Sequence, residues 1–205
     1  MAEGYKRTRY PDTNGRKYKL ICPMVSLERE MHQVLNKLGW CHEEAASFGL
    51  IYDVPWTVAF KVLDVLSKDN LASEWVVITN NPCPEAALDL WDAGVRGVIV
   101  GGFEDYQFGS LIEQYAGGKR TKQVYVGTCL TRAERRVLHH VALGRSQKGI
   151  ANSLRVSIGT VKTHLRNLCQ KLHLKNSREV MAYYAGLWHL LANYGDKAFE
   201  LDQKV

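Results

Sequence analysis

The chain has 205 residues, 46% of them hydrophobic and 23% charged, which is typical of a globular protein with room for two modest domains. Its apolar runs are shorter than the ~20 residues that cross a bilayer, and no apolar segment follows the basic first nineteen residues. We therefore expect a cytoplasmic protein without a membrane partner. The five scattered cysteines form no C-x-x-C pair, so neither a disulfide framework nor a zinc site is predicted, and no cofactor is expected.

The charge is distributed very unevenly along the chain. Residues 20–118 hold fourteen acidic residues and five Lys or Arg, whereas residues 119–178 hold fourteen Lys or Arg and one acidic residue, Glu134. An acidic block joined to a strongly basic block indicates two domains, one of which binds a polyanion. The predicted divisions are a basic flexible arm, an α/β domain, a linker, a helical domain and a tail, over residues 1–17, 18–116, 117–126, 127–193 and 194–205.

The acidic half alternates short apolar runs with helical patterns, which predicts a parallel sheet with crossover helices. Four strands are predicted, at 18–22, 49–53, 75–79 and 95–100. The helices are predicted at 27–38, 57–67, 84–93 and 105–115.

Three closely spaced helices are predicted in the basic half. Thr131 can cap the first helix with Glu134 completing a capping box, and Gly144 can end it. Ser146 caps a short second helix, and Ser157 caps a third helix that runs to about residue 172. Only the residues 155–157 separate the second helix from the third, so the pair has the helix-turn-helix arrangement.

The third helix has an apolar side and a polar side. Leucines and a valine recur on one side at helical spacing, so this side should pack on the other two helices. The opposite side carries Lys162, Thr163 and Arg166. A helix fits the major groove of DNA, where Arg166 could bind guanine O6 and N7 with two parallel hydrogen bonds.

The stretch from Leu130 to Glu179 resembles the LuxR/FixJ (NarL)-type DNA-binding domain. Matching elements include Leu130-Thr131, Gly144-x-Ser146-x-Lys148 and Thr160-Val161-Lys162-x-His164. The resemblance implies four helices, of which the third reads DNA and the fourth dimerises. It also implies base contacts from Lys162, Thr163 and Arg166, and phosphate contacts from Ser146, Lys148, Thr160, Asn167 and Lys171.

The fourth helix should begin near Ser177 and carries an apolar stripe broader than a small bundle needs. Part of this stripe is core, and the rest is a candidate dimer surface, for which we assign Val180, Tyr184, Leu187, Trp188 and Leu191. A dimer would place two reading helices about one DNA turn apart, which predicts a homodimer on an inverted-repeat operator of double-stranded DNA. RNA polymerase or another regulator is a further candidate partner.

The acidic half is similar to the receiver domain of response regulators, a flavodoxin-like parallel sheet. Asp53 matches the phosphate-accepting aspartate, but Pro23-Met24 stand where the resemblance implies an acidic pair for Mg²⁺, and Gly101 where it implies a lysine. Phosphoryl transfer needs the metal and the ammonium to neutralise charge, so we expect Asp53 not to be phosphorylated. Only thirty residues separate Pro23 from Asp53, which predicts a shortened receiver that lacks the second strand and second helix.

The sequence thus favours a DNA-binding transcriptional regulator and not an enzyme, since it contains no G-x-S-x-G, Walker A or H-E-x-x-H motif. The receiver-like half is expected to dimerise or to dock a partner without phosphorylation. An alternative is that this half senses a ligand or a protein partner at the carboxyl ends of its strands, near Tyr52, Trp56 and Phe103. A second alternative is a helix-turn-helix protein that binds proteins instead of DNA.

Overall fold

The computed structural model forms two compact units. The first contains Met1–Asn80 and Gly94–Thr121, and the second contains Asn81–Ala93 and Lys122–Val205. The structure describes residues 15–53, 58–66, 71–101, 107–118 and 127–187.

The first unit is built on a five-stranded parallel sheet with the order β2-β1-β3-β4-β5. This is the strand order of flavodoxin-like folds, which confirms the predicted class of the acidic half. The strands are β1 Lys17–Ile21, β2 Cys41–His42, β3 Gly49–Asp53, β4 Trp75–Thr79 and β5 Gly97–Val100. Three helices of this unit are α1 Val25–Lys37, α2 Val58–Leu66 and α4 Phe108–Ala116, and a single 3-10 turn covers Ala72–Glu74.

The central strands are those that the sequence predicts best. All five residues of β3 and all five of β4 are buried. Strands buried on both faces need continuous apolar runs, and the runs Leu50-Ile51 and Val76-Val77-Ile78 supply them. Both strands have the predicted bounds.

The prediction that the second strand is missing is wrong. Cys41 and His42 form β2 and pair in parallel with Lys17 and Tyr18 of β1. The strand is only two residues long and both residues are exposed, so it lacks the apolar alternation by which strands are found in a sequence. The second helix is absent, as predicted: residues 43–48 connect β2 to β3 and contain no helix.

The second unit contains five helices among its described residues. The four of the basic half are α5 Arg132–Ala142, α6 Gln147–Leu154, α7 Ile158–Lys171 and α8 Ser177–Tyr184. The fifth, α3 Pro84–Asp92, connects β4 to β5 along the chain, and the sequence assigned it to the α/β domain. The predicted boundary at residues 116–117 therefore does not coincide with the grouping of α3.

The ends of these helices follow the predicted capping residues. Thr131 and Glu134 form the reciprocal capping box of α5, and Gly144 follows that helix with φ +72°. The hydroxyl oxygens of Ser146 and Ser157 accept hydrogen bonds from the first turns of α6 and α7. Arg155 ends α6 in the left-handed region, with φ 55°, which makes the tight turn of the helix-turn-helix. None of the described helices is both long enough and apolar enough to cross a membrane.

A close approach in the first unit leaves no space for a side chain at Gly97. A Cβ built there would lie 2.3 Å from the ring of Tyr115 on α4, and this ring is fully buried. We expect Gly97→Ala to lower the free energy of unfolding by about 1–3 kcal/mol, because either the ring or the strand must shift. Urea denaturation measures the change. Gly15→Ala is the control, since a Cβ at Gly15 meets no atom within 4 Å. Equal losses in both variants would contradict the prediction.

Candidate nucleic-acid interface

The third helix of the basic half, α7, is called the reading helix for its predicted role, and it is oriented by its buried apolar residues. Val161 and Leu168 are fully buried in the second unit, and the side chains of Lys162, Thr163 and Arg166 on the other side are exposed. The Thr163 hydroxyl donates to the carbonyl oxygen of Gly159 at 3.1 Å, so its oxygen remains able to accept from a ligand. The structure therefore brings the three predicted base-contacting residues together on one exposed, cationic face.

The five residues predicted to contact phosphates differ in what they already bind. Ser146 accepts from the amide of Gly149 at 3.1 Å, and the Thr160 hydroxyl is hydrogen-bonded to Ser157 Oγ at 2.9 Å. A hydroxyl whose oxygen accepts still has its proton to donate to a phosphate. Lys148 is exposed on α6 and Asn167 is half-buried on α7. These contacts remain predictions.

Lys171 has a role inside the unit that the sequence did not reveal. Its ammonium pairs with Glu134 Oε2 at 2.7 Å, and Glu134 is 3% exposed. Burial opposes ionisation of this carboxyl, but hydrogen bonds from Lys171 and Thr131 hold the pKa of Glu134 below its usual range. The pair joins the start of α5 to the end of α7. The one sequence signal was that Glu134 is the single acidic residue of a basic stretch.

An open cleft of about 530 Å³ lies beside the reading helix. Lys162, Arg166 and Lys175 line it together with residues of α6, α7 and the start of α8, and none of the lining residues is acidic. The cleft is therefore a cationic concavity. Lys175 was missed by the sequence analysis because it lies between two helices, where no periodic pattern indicates which way a side chain faces.

The structure gives Asp53 a structural contact. Its Oδ1 accepts a hydrogen bond from the amide of Ala59 at 2.9 Å, in the first turn of α2, and the residue is 4% exposed. Burial raises the pKa of Asp53 to about 6, although the amides of Ala59 and Val58 oppose the shift. Its neighbour across the sheet is the buried Thr79. Among the described residues, no group of three or more His, Cys, Asp or Glu has an arrangement that could hold a metal ion.

The predicted dimer stripe is partly internal. Val180 and Tyr184 are fully buried in the second unit, so in this conformation neither is available to a partner. Their burial follows from the packing of α8 on α5, which needs one apolar side of α8 for the core. Leu187 is 42% exposed and stays a candidate for the dimer surface. Trp188 and Leu191 lie outside the described residues.

Of the three aromatic residues predicted near a ligand site, the structure describes Tyr52 alone. Tyr52 is 2% exposed and belongs to the core of the first unit, where its hydroxyl accepts a hydrogen bond from Asn80 at 3.3 Å. Trp56 and Phe103 lie outside the described residues. The burial of Tyr52 is the ordinary core role of an aromatic side chain.

A comparison with protein families places the helical part of the chain. The profile named GerE, which describes bacterial regulatory proteins of the luxR family, matches residues 128–184. The matched stretch includes all four helices α5 to α8, among them the reading helix with its exposed cations.

Curated relatives and solved structures extend the likeness beyond this domain. The nitrate/nitrite response regulator protein NarP of Escherichia coli (strain K12) is 28% identical over 133 residues, which cover 56% of this chain and 60% of NarP. The probable transcriptional regulatory protein NarL of Mycobacterium tuberculosis (strain ATCC 25618 / H37Rv) is 37% identical over 73 residues, 36% of this chain and 34% of NarL. The chain thus spans less than two thirds of either relative.

The fold of most of the chain has a counterpart among solved structures. A structure of two RcsB dimers bound to two parallel DNAs has a TM-score of 0.54 at 14% identity, and the likeness covers 85% of this chain and 100% of that one. It confirms the predicted combination of a receiver-like sheet with a luxR-type helical domain.

The buried position of Asp53 predicts a pH dependence of stability. The carboxyl titrates near 3.8 when exposed and near 6 in the fold, so between these values the folded chain binds more protons than the unfolded chain. Its contribution to the free energy of unfolding therefore decreases as the pH rises through this window. Asn can accept the Ala59 hydrogen bond but does not titrate. We therefore expect the free energy of unfolding of Asp53→Asn to rise by roughly 1–3 kcal/mol relative to that of the wild type between about pH 4 and pH 7.

The measurement is urea denaturation of both chains across that pH range. Asp64→Asn, which changes an exposed carboxylate on the same α2 helix, is the control and should follow the wild type. A constant difference between Asp53→Asn and the wild type at all pH values would refute the assignment.

Proposed function

We propose that this chain is a transcriptional regulator that binds double-stranded DNA through the reading helix α7. The observation that carries the proposal is the exposed face of Lys162, Thr163 and Arg166 on the third helix of a luxR-family domain. The relatives agree with it: NarP is a response regulator, NarL is a probable transcriptional regulatory protein, and RcsB has been solved on DNA.

In this proposal the helix supplies specificity and the surrounding residues supply affinity. The major groove admits an α-helix and presents a distinct donor and acceptor pattern for each base pair, so Lys162, Thr163 and Arg166 contact base edges. Ser146, Lys148, Thr160, Asn167 and Lys171 contact phosphates and fix the register. The exposed Lys and Arg side chains of this domain displace counterions from the DNA, which makes binding strongly dependent on salt.

The receiver-like unit acts without phosphorylation in this proposal and supports dimerisation or partner docking. Asp53 caps α2, and residues 23 and 24, where an acidic pair would hold Mg²⁺, are Pro and Met. A carboxylate without a metal and an ammonium lacks the charge neutralisation that phosphoryl transfer requires. The signal that controls this chain is then a change of assembly and not a covalent modification of Asp53.

The chain binds its operator as a homodimer whose contact includes Leu187, three residues after the end of α8. Leu187 lies there at 42% exposure, just beyond the buried Tyr184. Two copies related by a twofold axis present two reading helices to half-sites about one DNA turn apart, so the operator is an inverted repeat.

Truncation of Arg166 and truncation of Lys148 are predicted to change DNA binding in different ways. Arg166→Ala should weaken binding to a selected operator by about 1–3 kcal/mol and relax base preference, because the bidentate contact to guanine is lost. Lys148→Ala should weaken binding to all DNA sequences alike and reduce by about 1 the salt slope, which is the slope of the logarithm of affinity against the logarithm of salt concentration. Binding titrations over a range of salt, on the operator and on random DNA, measure both effects.

The control for these titrations is Arg29→Ala, which removes an exposed arginine from α1 of the first unit. It should leave affinity and salt slope unchanged. Equal losses on operator and random DNA for Arg166→Ala would exclude Arg166 as a base reader, and a salt-independent affinity of the wild type would exclude the DNA-binding function.

The dimer surface predicts an effect of charge at Leu187. Leu187→Glu should shift the chain from dimer to monomer, because it places a carboxylate in an apolar contact. Sedimentation velocity over a range of concentrations measures the shift. Leu143→Glu, an equally drastic change at an exposed apolar residue just after α5, is the matched control. A dimer that survives Leu187→Glu would exclude this end of α8 from the interface.

A further inference from the structure

Helix α3 contributes a set of acidic side chains to the basic second unit. Glu85, Asp89 and Asp92 lie on α3, and Glu85 is 1% exposed. Residues 122–178 of the same unit have twelve Lys or Arg and one acidic residue, so the carboxylates of α3 are the kind of charge that this stretch needs to offset its own repulsion.

Arg135 on α5 binds two of these carboxylates at once. Its Nη1 donates to Asp89 Oδ1 at 3.0 Å and its Nη2 donates to Asp92 Oδ2 at 2.7 Å. The Arg135 side chain is 10% exposed and that of Asp89 is 13% exposed. A guanidinium presents its donors in a fixed planar fork, so two simultaneous bonds determine the orientation of α5 against α3 as well as its position.

Further contacts of α3 are made with α8, with the residues before α5, and with His139 of α5, whose Nδ1 lies 3.6 Å from Asp89 Oδ2. The hydroxyls of Tyr183 and Thr128 both donate to Glu85, the first at 2.7 Å. The Tyr184 hydroxyl donates to Asp89 Oδ2 at 2.8 Å. Burial raises the pKa of Asp89 to about 7, although the Tyr184 hydrogen bond and Arg135 oppose the shift, so the bonds to Asp89 are charge-assisted above that pH.

The segment that leads into α3 is packed as tightly as the helix. Asn81 Nδ2 donates to the carbonyl oxygen of Tyr184 at 2.9 Å. A Cβ at Gly186 would lie 2.5 Å from Pro82 and 2.6 Å from Asn81 Oδ1, so the chain after α8 passes directly over this segment. Residues 81–93 therefore fit the second unit through backbone contacts as well as through side chains.

Two consecutive residues of α5 connect these contacts to the reading helix. Arg135 binds α3, and its neighbour Glu134 binds Lys171 at the end of α7. A displacement of α5 relative to α3 would therefore move the Glu134 carboxylate that holds the end of α7.

We propose that α3 supports the DNA-binding unit by fixing the orientation of α5, and that Arg135 is a positioning residue for the reading helix. Only the DNA-binding part of this inference rests on the proposed function. Arg135 acts through α5, Glu134 and Lys171, because its own fork is occupied by Asp89 and Asp92 and the residue is 9% exposed. It does not contact DNA.

The test is a double-mutant cycle in the full-length chain, with Arg135→Ala, the pair Asp89→Asn and Asp92→Asn, and the combination of all three. Without DNA, Arg135→Ala should lower Tm by roughly 5–10 °C, because two carboxylates lose their counter-charge. It should also speed hydrogen exchange in α7. With the operator it should weaken binding between about twofold and thirtyfold while the salt slope stays constant.

The cycle separates positioning from direct contact. If Arg135 acts through α3, the effect of Arg135→Ala on DNA binding should largely disappear in the background that lacks the Asp89 and Asp92 charges. Arg136→Ala, an exposed arginine at the next position of α5, is the matched control and should change neither Tm nor exchange. Arg135→Lys keeps the charge but loses the fork, and it should give an intermediate effect in a chain that remains folded.

Several outcomes would overturn the inference. Additive effects of the arginine and aspartate changes would show that they do not act together. A salt slope lowered by about 1 would show that Arg135 contacts a phosphate itself. Unchanged exchange in α7 would show that the connection through Glu134 is absent. If the wild type binds no DNA, the proposed function fails, whereas melting and exchange still decide whether α3 supports α7.

Discussion

The second unit depends on the position of one carboxylate. Glu134 receives the amide and hydroxyl of Thr131, which starts α5, and the ammonium of Lys171, which ends α7. In a stretch with fourteen cations it provides an internal counter-charge that holds the start of α5 to the end of α7. The apolar contacts of Val161 and Leu168 then decide which side of α7 is buried, and the cationic side is left exposed.

The first unit places a buried carboxyl, Asp53, in a flavodoxin-like sheet. The parallel sheet keeps the flavodoxin-like strand order, and Asp53 keeps its place at the end of β3. Its carboxylate now receives the first amides of α2 at a buried position, where burial works against ionisation. A helix N-terminus favours negative charge, so the residue can be retained for the architecture of the strand-to-helix connection alone.

Much of this architecture could be predicted from the sequence because it is determined locally. The bounds of β3 and β4 follow from uninterrupted apolar runs, and those of α5 and α7 follow from the caps Thr131 and Ser157. The exposed face of α7 follows from helical spacing in the same way. Strand β2 escaped prediction because two exposed residues carry no periodic signal, and Lys175 because it lies between helices. The grouping of α3 with the second unit depends on Arg135, Tyr183 and Thr128, forty or more residues away, and no local pattern indicates such a partner.

The second unit is built from two segments that are separate in the sequence, and this affects how the chain folds. Thirty-nine residues lie between the end of α3 and the start of α5, so the contacts between them require a non-local loop closure that a bundle of consecutive helices avoids. During synthesis α3 emerges well before α5 and α8, so its carboxylates remain solvated until those helices have been synthesised. Recombination at Gly117-Gly118 would separate these helices. A new amino-terminal partner for this domain would therefore have to bring an equivalent acidic helix with it.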